Sequence, residues 1–379
     1  MKFLFASDSF KGSLTSQQIM DILAAAANKH FPGCETAGLP IADGGEGTVD
    51  AVIAAVKGSM ETVDVHGPLM EMETASYGKV NDRSAIIEMA AASGLPMVPS
   101  DQRNPMKTTS IGTGELIRDA LDKGYREISI AIGGSATNDG GMGAMTALGV
   151  RFLDKEGNEL AGAGEDLIRV ASIDVSKIHP AVAETVFTVM CDVNNPLTGE
   201  RGATYTFGMQ KGADEEDLRN LETGMKNYAS VVREQLGVDV DTIPGSGAAG
   251  GLGAALKVFL HANLKSGIET VLDLIDFNSY LEGTDLVITG EGRMDWQSAF
   301  GKVPSGIGLR CKAKDIPVIA IAGGMGKGAQ DLYEYGISSI IPTVNGPMTL
   351  EEAMERAEEL YADAADRMFR ILKTGMKFR

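Results

Sequence analysis

Short apolar runs that stop at glycine clusters constrain this chain more than any other feature. Phe3 to Ala6 leads to Asp8 and Lys11, and Thr36 to Ile41 leads to Asp43-Gly44-Gly45-Glu46-Gly47. Glu127 to Ile132 runs into Gly133-Gly134-Ser135-Ala136-Thr137-Asn138-Asp139-Gly140-Gly141, and Leu286 to Thr289 runs into Gly290-Glu291-Gly292-Arg293. Glycine permits close backbone approach and left-handed turns. It fills 47 of 379 positions, against a usual ~7%, with no collagen period. Strands that end in such loops and are followed by amphipathic stretches are the pattern of βα units around a parallel sheet.

That style holds at both ends of the chain and breaks in the middle. A helix is expected from about Ser16 to His30, with Thr15 and Gln18 spaced as a capping box, and another over Thr48 to Lys57. From Glu61 to Met89, three β-prone segments (Glu61 to Val65, Met72 to Tyr77, Ser84 to Met89) are joined by Gly67-Pro68 and Gly78 to Asp82, which reads as an antiparallel meander. Thr185 to Met190 is a further strand ending near Asp192. Asp214 to Leu236 reads as an acidic helix, with Asp214 to Asp217 favoured at its N-terminus by the helix dipole. Pro317 to Ala322 and Ile337 to Pro342 read as strands of the resumed α/β pattern, and Leu350 to Leu372 as one long closing helix. The expected fold class is therefore α/β with two domains. One is built from both chain ends (1–60 and 281–379), and a mixed α/β domain (61–280) is inserted in it.

Charge and composition exclude several partners. With 34 Lys and Arg against 52 Asp and Glu, the formal charge is -18, which disfavours nucleic acid and anionic membrane surfaces. No apolar run approaches the ~18 residues of a membrane span, and Asp8 interrupts the N-terminal run before it could serve as a signal segment. Cys34, Cys191 and Cys311 match no metal-ligand spacing, and a reducing cytoplasm fits them. His30, His66, His179 and His261 stand outside the glycine clusters, so a histidine-based triad or metal site has little to build on.

What the loops share is carboxylates beside glycine and a few cations. Magnesium takes oxygen ligands and completes its shell with phosphates and water, so it needs only one or two carboxylates. Backbone N–H groups of glycine loops and helix N-termini hold anionic oxygens. Phosphoryl transfer relies on positioning and charge neutralisation and needs no histidine. Two patterns are decoys. Gly245-Ser246-Gly247-Ala248-Ala249-Gly250 spells the dinucleotide fingerprint, but Val238 to Pro244 before it is broken by Asp239, Asp241 and a proline, and Glu269 lies in a helix-like segment. Gly326-Lys327 lacks the glycine five residues before Gly326, where Ile321 stands, and the Ser or Thr after the pair, where Gly328 stands.

Asp8-Ser9-Phe10-Lys11-Gly12-Ser13, Ala42-Asp43-Gly44-Gly45-Glu46-Gly47-Thr48 and Ile132-Gly133-Gly134-Ser135-Ala136-Thr137-Asn138-Asp139-Gly140-Gly141 resemble the bacterial glycerate kinase type-1 family. So do Cys191-Asp192-Val193, Phe207-Gly208-Met209-Gln210-Lys211-Gly212, Gly247-Ala248-Ala249-Gly250-Gly251 and Thr289-Gly290-Glu291-Gly292-Arg293, and the resemblance runs from about residue 6 to residue 327. It implies a cytoplasmic ATP- and Mg²⁺-dependent kinase of D-glycerate. It also implies a flavodoxin-like domain made from both chain ends, with the active site in the cleft beside the inserted domain. Enteric members make 2-phosphoglycerate, so the 2-kinase reading is preferred to the 3-kinase one. A nicotinamide-dependent hydroxy-acid dehydrogenase and a non-catalytic binding protein are the readings from other classes.

Within that reading Arg293 is expected to bind the substrate carboxylate bidentately. Lys211 is expected to neutralise transferring phosphate oxygens, or else to be a surface residue opening the acidic helix. Asp192 and Asp43 compete for general base and Mg²⁺ ligand, with Asp192 preferred as base. Asp8, Lys11, Gly44, Gly45, Glu46, Gly133, Gly134, Ser135, Asn138, Asp139, Arg201, Glu291, Asp295 and Lys302 complete the candidate substrate- and nucleotide-binding set. Trp296, where the family usually has a small or polar residue, reads first as packing and second as a platform for adenine. Oligomeric state is left open, with a homodimer as one option.

Overall fold

Phe3, Leu4, Phe5 and Ala6 are buried in succession, which is what a parallel strand covered on both faces requires. They form β1 (Lys2–Ser7), an interior strand of the first sheet in this computed structural model. The structure describes residues 1–299 and 301–378. After β1, Thr15 caps the helix Ser16–His30 as expected: its hydroxyl accepts from the Gln18 N–H at 3.2 Å, and the Gln18 side chain accepts from the Thr15 N–H at 2.9 Å. β2 (Glu35–Pro40) follows.

The chain then forms β3 (Ser59–His66), β4 (Met72–Lys79), β5 (Ser84–Glu88), β6 (Glu127–Ala131), β7 (Arg151–Leu153), β8 (Ser172–Asp174), β9 (Val186–Met190) and β10 (Asn263–Lys265). It ends with β11 (Leu286–Met294), β12 (Val318–Met325) and β13 (Ser339–Pro342). Two compact units result. The first holds Met1–Asp43, Ala54–Val56 and the chain from Gly267 on; the second holds Gly44–Ile53 and Lys57–Ser266.

The first unit carries a five-stranded sheet in the order β13-β12-β11-β1-β2, with every neighbouring pair parallel. Counted within the unit, that order is 2-1-3-4-5, the flavodoxin-like winding, whose direction reverses between β1 and β11. Its core packs Phe3 and Phe5 with Ile19 and Leu23 on the helix after β1, and with Tyr361 and Phe369 near the C-terminus. Phe3 meets Phe369 edge-on at 5.4 Å.

The second unit carries a six-stranded mixed sheet, β10-β9-β6-β5-β4-β3. β3, β4 and β5 are the expected antiparallel meander, whereas β5, β6, β9 and β10 pair in parallel. The ribbon β7–β8 stands apart from it. Tyr77, Phe152, Phe187, Tyr228 and Leu256 are among the large side chains of its core.

Two local expectations are corrected. The closing helix is two helices, Leu350–Glu355 and Ala357–Gly375, because Arg356 leaves helical geometry at φ -98°, ψ 16°. Strand β11 continues five residues past Thr289, so Glu291 and Arg293 lie on the strand and not in a loop after it. Gly290 serves packing instead of turning: a β-carbon there would lie 2.3 Å from the Ile321 carbonyl oxygen of β12.

Candidate active site

In the flavodoxin winding, ligands bind beyond the carboxyl ends of the strands where the order reverses. Here that point lies between β1 and β11. Asp8 follows β1 directly, and its N–H donates to the Gly290 carbonyl at 3.1 Å. The Ser7 hydroxyl donates to the same carbonyl at 3.0 Å, which ties the two strand ends together. Asp43 follows β2, and Glu291 lies on β11. These three carboxylates line one cavity of about 650 Å³ with Lys11, Arg293 and Lys302.

Burial and neighbouring charge disfavour the ionised form of two of these carboxylates, Asp8 and Glu291. Burial, followed by the charge of Asp43, raises the Asp8 carboxyl to about 6 against the pull of the Ser9 N–H and Lys11. Glu291 is also raised, first by burial. The Ser298 hydroxyl donates to it, and Lys302 Nζ lies 3.6 Å from its other oxygen. Arg293 keeps its guanidinium in solvent, 76% exposed, with Nε 3.4 Å from Asp295. Trp296 is 55% exposed, so the packing reading is corrected: a short 3-10 turn, Trp296–Ala299, holds it at the surface.

Does this donor set suit magnesium? Among the described residues no three His, Cys, Asp or Glu side chains are grouped to hold a metal by themselves. An ion that completes its shell with phosphates and water needs fewer. Burial first, and then the charge of Asp43, raises Asp8; a cation beside the two carboxylates would offset that second contribution, so the residues fit such an ion.

The remaining candidates belong to the second unit. Gly133 and Gly134 are exposed just past the end of β6. Their loop is anchored from within by Lys211, whose ammonium donates to Ser135 Oγ at 2.8 Å and to the Thr137 carbonyl at 2.6 Å. Lys211 is only 2% exposed, which rules out the surface reading. Burial lowers its pKa to about 7, against the charge of Asp139. Asp139 is itself enclosed. It accepts from the Ser110 N–H and hydroxyl at 2.8 and 2.6 Å, and from the Gly141 and Gly143 N–H groups at 3.0 and 3.3 Å. Asn138 donates to Thr204 at 3.1 Å. Ser135, Asn138, Asp139 and Lys211 are thus all interior residues, not groups presented to a ligand.

Gly44 and Gly45 run close to that loop, since a β-carbon on Gly133 would lie 3.5 Å from the Gly44 carbonyl oxygen. Glu46 is exposed beside them. The helix N-terminus that follows is already filled: Glu88 at the end of β5 accepts from the Val49 N–H at 2.8 Å. No anion is needed there. Asp192 and Arg201 are exposed in the segment after β9. The dinucleotide decoy is preceded by a 3-10 turn, Val240–Thr242, and not by a strand. At Gly247 and Gly250 a β-carbon would strike the Pro196 and Thr137 carbonyls at 2.1 Å, so those glycines are needed for internal packing.

The fold is α/β, with a charged cavity at the reversal point of a flavodoxin-like sheet, and its family and relatives make it a phosphotransferase. The glycerate kinase family profile matches residues 3–373, and the chain belongs to that family. It is 47% identical to the glycerate kinase of Bacillus cereus over 95% of this chain and 94% of the relative. It is 44% identical to the glycerate 2-kinase of Escherichia coli K12 over 100% and 99%. A crystal structure assigned to glycerate kinase 2 of Salmonella typhimurium LT2 superimposes with a TM-score of 0.89 at 45% identity, covering 100% of this chain and 99% of that one.

Proposed function

We propose that the protein is an ATP- and Mg²⁺-dependent D-glycerate 2-kinase. The carrying observation is the cavity at the β1–β11 reversal, where three carboxylates and three cations line one space. The 2-kinase product is supported by the name of the Escherichia coli relative, alike over the whole chain. Three free thiols fit a reducing, cytoplasmic setting.

In the proposed reaction a glycerate hydroxyl oxygen forms a bond to the γ-phosphorus as the bond from that phosphorus to the β,γ-bridging oxygen breaks. ADP leaves, and the hydroxyl proton passes to a carboxylate. Asp8 is the better base, because a pKa of about 6 leaves it ionised yet basic near neutral pH, whereas Asp192 is exposed to solvent. Asp43, with the phosphates, is assigned to Mg²⁺, which would offset charge on the β- and γ-oxygens. Lys11 and Lys302 neutralise the rest of that charge, with Glu291 orienting Lys302. Arg293 takes the substrate carboxylate in a two-point hydrogen bond.

Within the second unit, Lys211 acts as the positioning residue of the exposed Gly133-Gly134 loop. The test is ADP release by the purified protein. Release that requires both D-glycerate and Mg²⁺ and stops with excess EDTA supports the assignment; release indifferent to D-glycerate overturns it.

A further inference from the structure

The same cavity has a second wall with no use for glycerate. Besides the charged groups it is lined by Met325, Val344, Met348, Leu350 and Met354. Three of these are held open to solvent: Met325 is 47% exposed, Leu350 72% and Met354 39%. The threonines of this wall are engaged locally. The Thr343 hydroxyl donates to the Gly323 carbonyl at 3.3 Å, and the Thr349 hydroxyl accepts from the Glu352 N–H at 3.2 Å as a helix cap. The surface offered is therefore apolar and rich in thioethers.

It is also continuous with the charged end. Gly12, at φ +79°, follows Lys11, and a β-carbon there would lie 3.0 Å from Met354 Cε. The absent side chain lets the Lys11 loop lie directly against the methionine wall. A three-carbon hydroxy acid with a carboxylate and two hydroxyls has almost no apolar surface to place there. A nucleoside triphosphate has a charged end and a flat, polarisable end on one molecule, and methionine sulfur packs well against aromatic rings. A cavity of about 650 Å³ lies within the ordinary range for a ligand of that size.

We infer that the apolar wall formed by Met325, Met348, Leu350 and Met354 binds the adenine ring of ATP, with the triphosphate directed past Gly12 toward Lys11 and Lys302. This assignment rests on the kinase reading and adds to it where the nucleotide base lies. Glycerate is then left to the charged end, near Arg293.

The test uses the full-length protein with Leu350→Gln and Met354→Gln. Both positions are solvent-exposed, and glutamine keeps helix propensity without adding a charge that would repel phosphate. Loss of an apolar contact in a binding pocket is worth roughly one order of magnitude. Each variant should raise KM for ATP about tenfold while KM for D-glycerate stays within twofold. Calorimetric titration without glycerate should show the same loss for Mg²⁺-adenylyl imidodiphosphate and none for inorganic tripolyphosphate, which has no base. Unchanged affinity for the nucleotide analogue in both variants would overturn the assignment, as would equal losses for the analogue and tripolyphosphate. A change in oligomeric state with unchanged nucleotide affinity would overturn it in favour of a second copy on this wall. If the unaltered protein failed to phosphorylate glycerate, the kinase reading itself would fall, whereas the titration reads the wall independently of turnover.

Discussion

At the scale of single residues, burial decides what the charged groups can do. Asp8 gains a proton near pH 6 because it is buried and faces Asp43, and a protonated carboxyl cannot serve as base. The ratio kcat/KM, which reports ionisations of the free enzyme, should therefore fall as pH drops through about 6. Asp8→Asn should lower kcat by roughly 10²-fold or more and remove that acidic limb from the pH–rate profile. Near-normal turnover in Asp8→Asn alongside a large loss in Asp192→Ala would transfer the role of base to Asp192. Lys211 titrates with the opposite sign. Folded, it loses its proton near pH 7; unfolded, a lysine keeps it until ~10.4. Between those values the unfolded chain binds more protons, so Lys211 makes stability rise with pH. Urea-unfolding midpoints between pH 7.5 and 9.5 should rise more steeply in the unaltered protein than in Lys211→Met, and equal slopes would contradict the buried position.

At the scale of elements, β11 shows how a glycine can mislead. Gly290 and Gly292 look like the start of a loop, yet β11 stays in register with β12 as far as Met294 opposite Met325. Gly290→Ala would force a β-carbon against the Ile321 carbonyl. The expected cost is about 2 kcal/mol or more, seen as a lower urea midpoint; an unchanged midpoint would show that the two strands give way easily. Much of the rest was legible. The Thr15–Gln18 capping box, the β3–β5 meander and the acidic helix capped by Asp214 follow from local chemistry that a sequence displays. The remainder depends on contacts between distant segments. Nothing near Lys211 announces that its ammonium will meet Ser135 and Thr137 more than 70 positions away. Glu88, at the end of a strand, gives no sign that it fills a helix N-terminus at Val49. Leu350 and Met354 read as two positions of a long helix; only the break at Arg356 and the nearby Gly12 show them as part of a cavity wall.

At the scale of the whole molecule, a net charge of -18 is compatible with binding ATP because charge is sorted locally. Lys11, Arg293 and Lys302 share one cavity with Asp8, Asp43 and Glu291, and a divalent cation would turn the balance there toward phosphate. The strand order of the first unit places that cavity at its reversal point. Among the described residues no helix is long and apolar enough to cross a membrane. The measurement that tests the account most directly is NMR of the products after incubation with ATP, Mg²⁺ and D-glycerate. The account predicts ADP and a phosphate ester on carbon 2 of glycerate; an ester on carbon 3 would contradict the regiochemistry, and no phosphorylated glycerate would contradict the function.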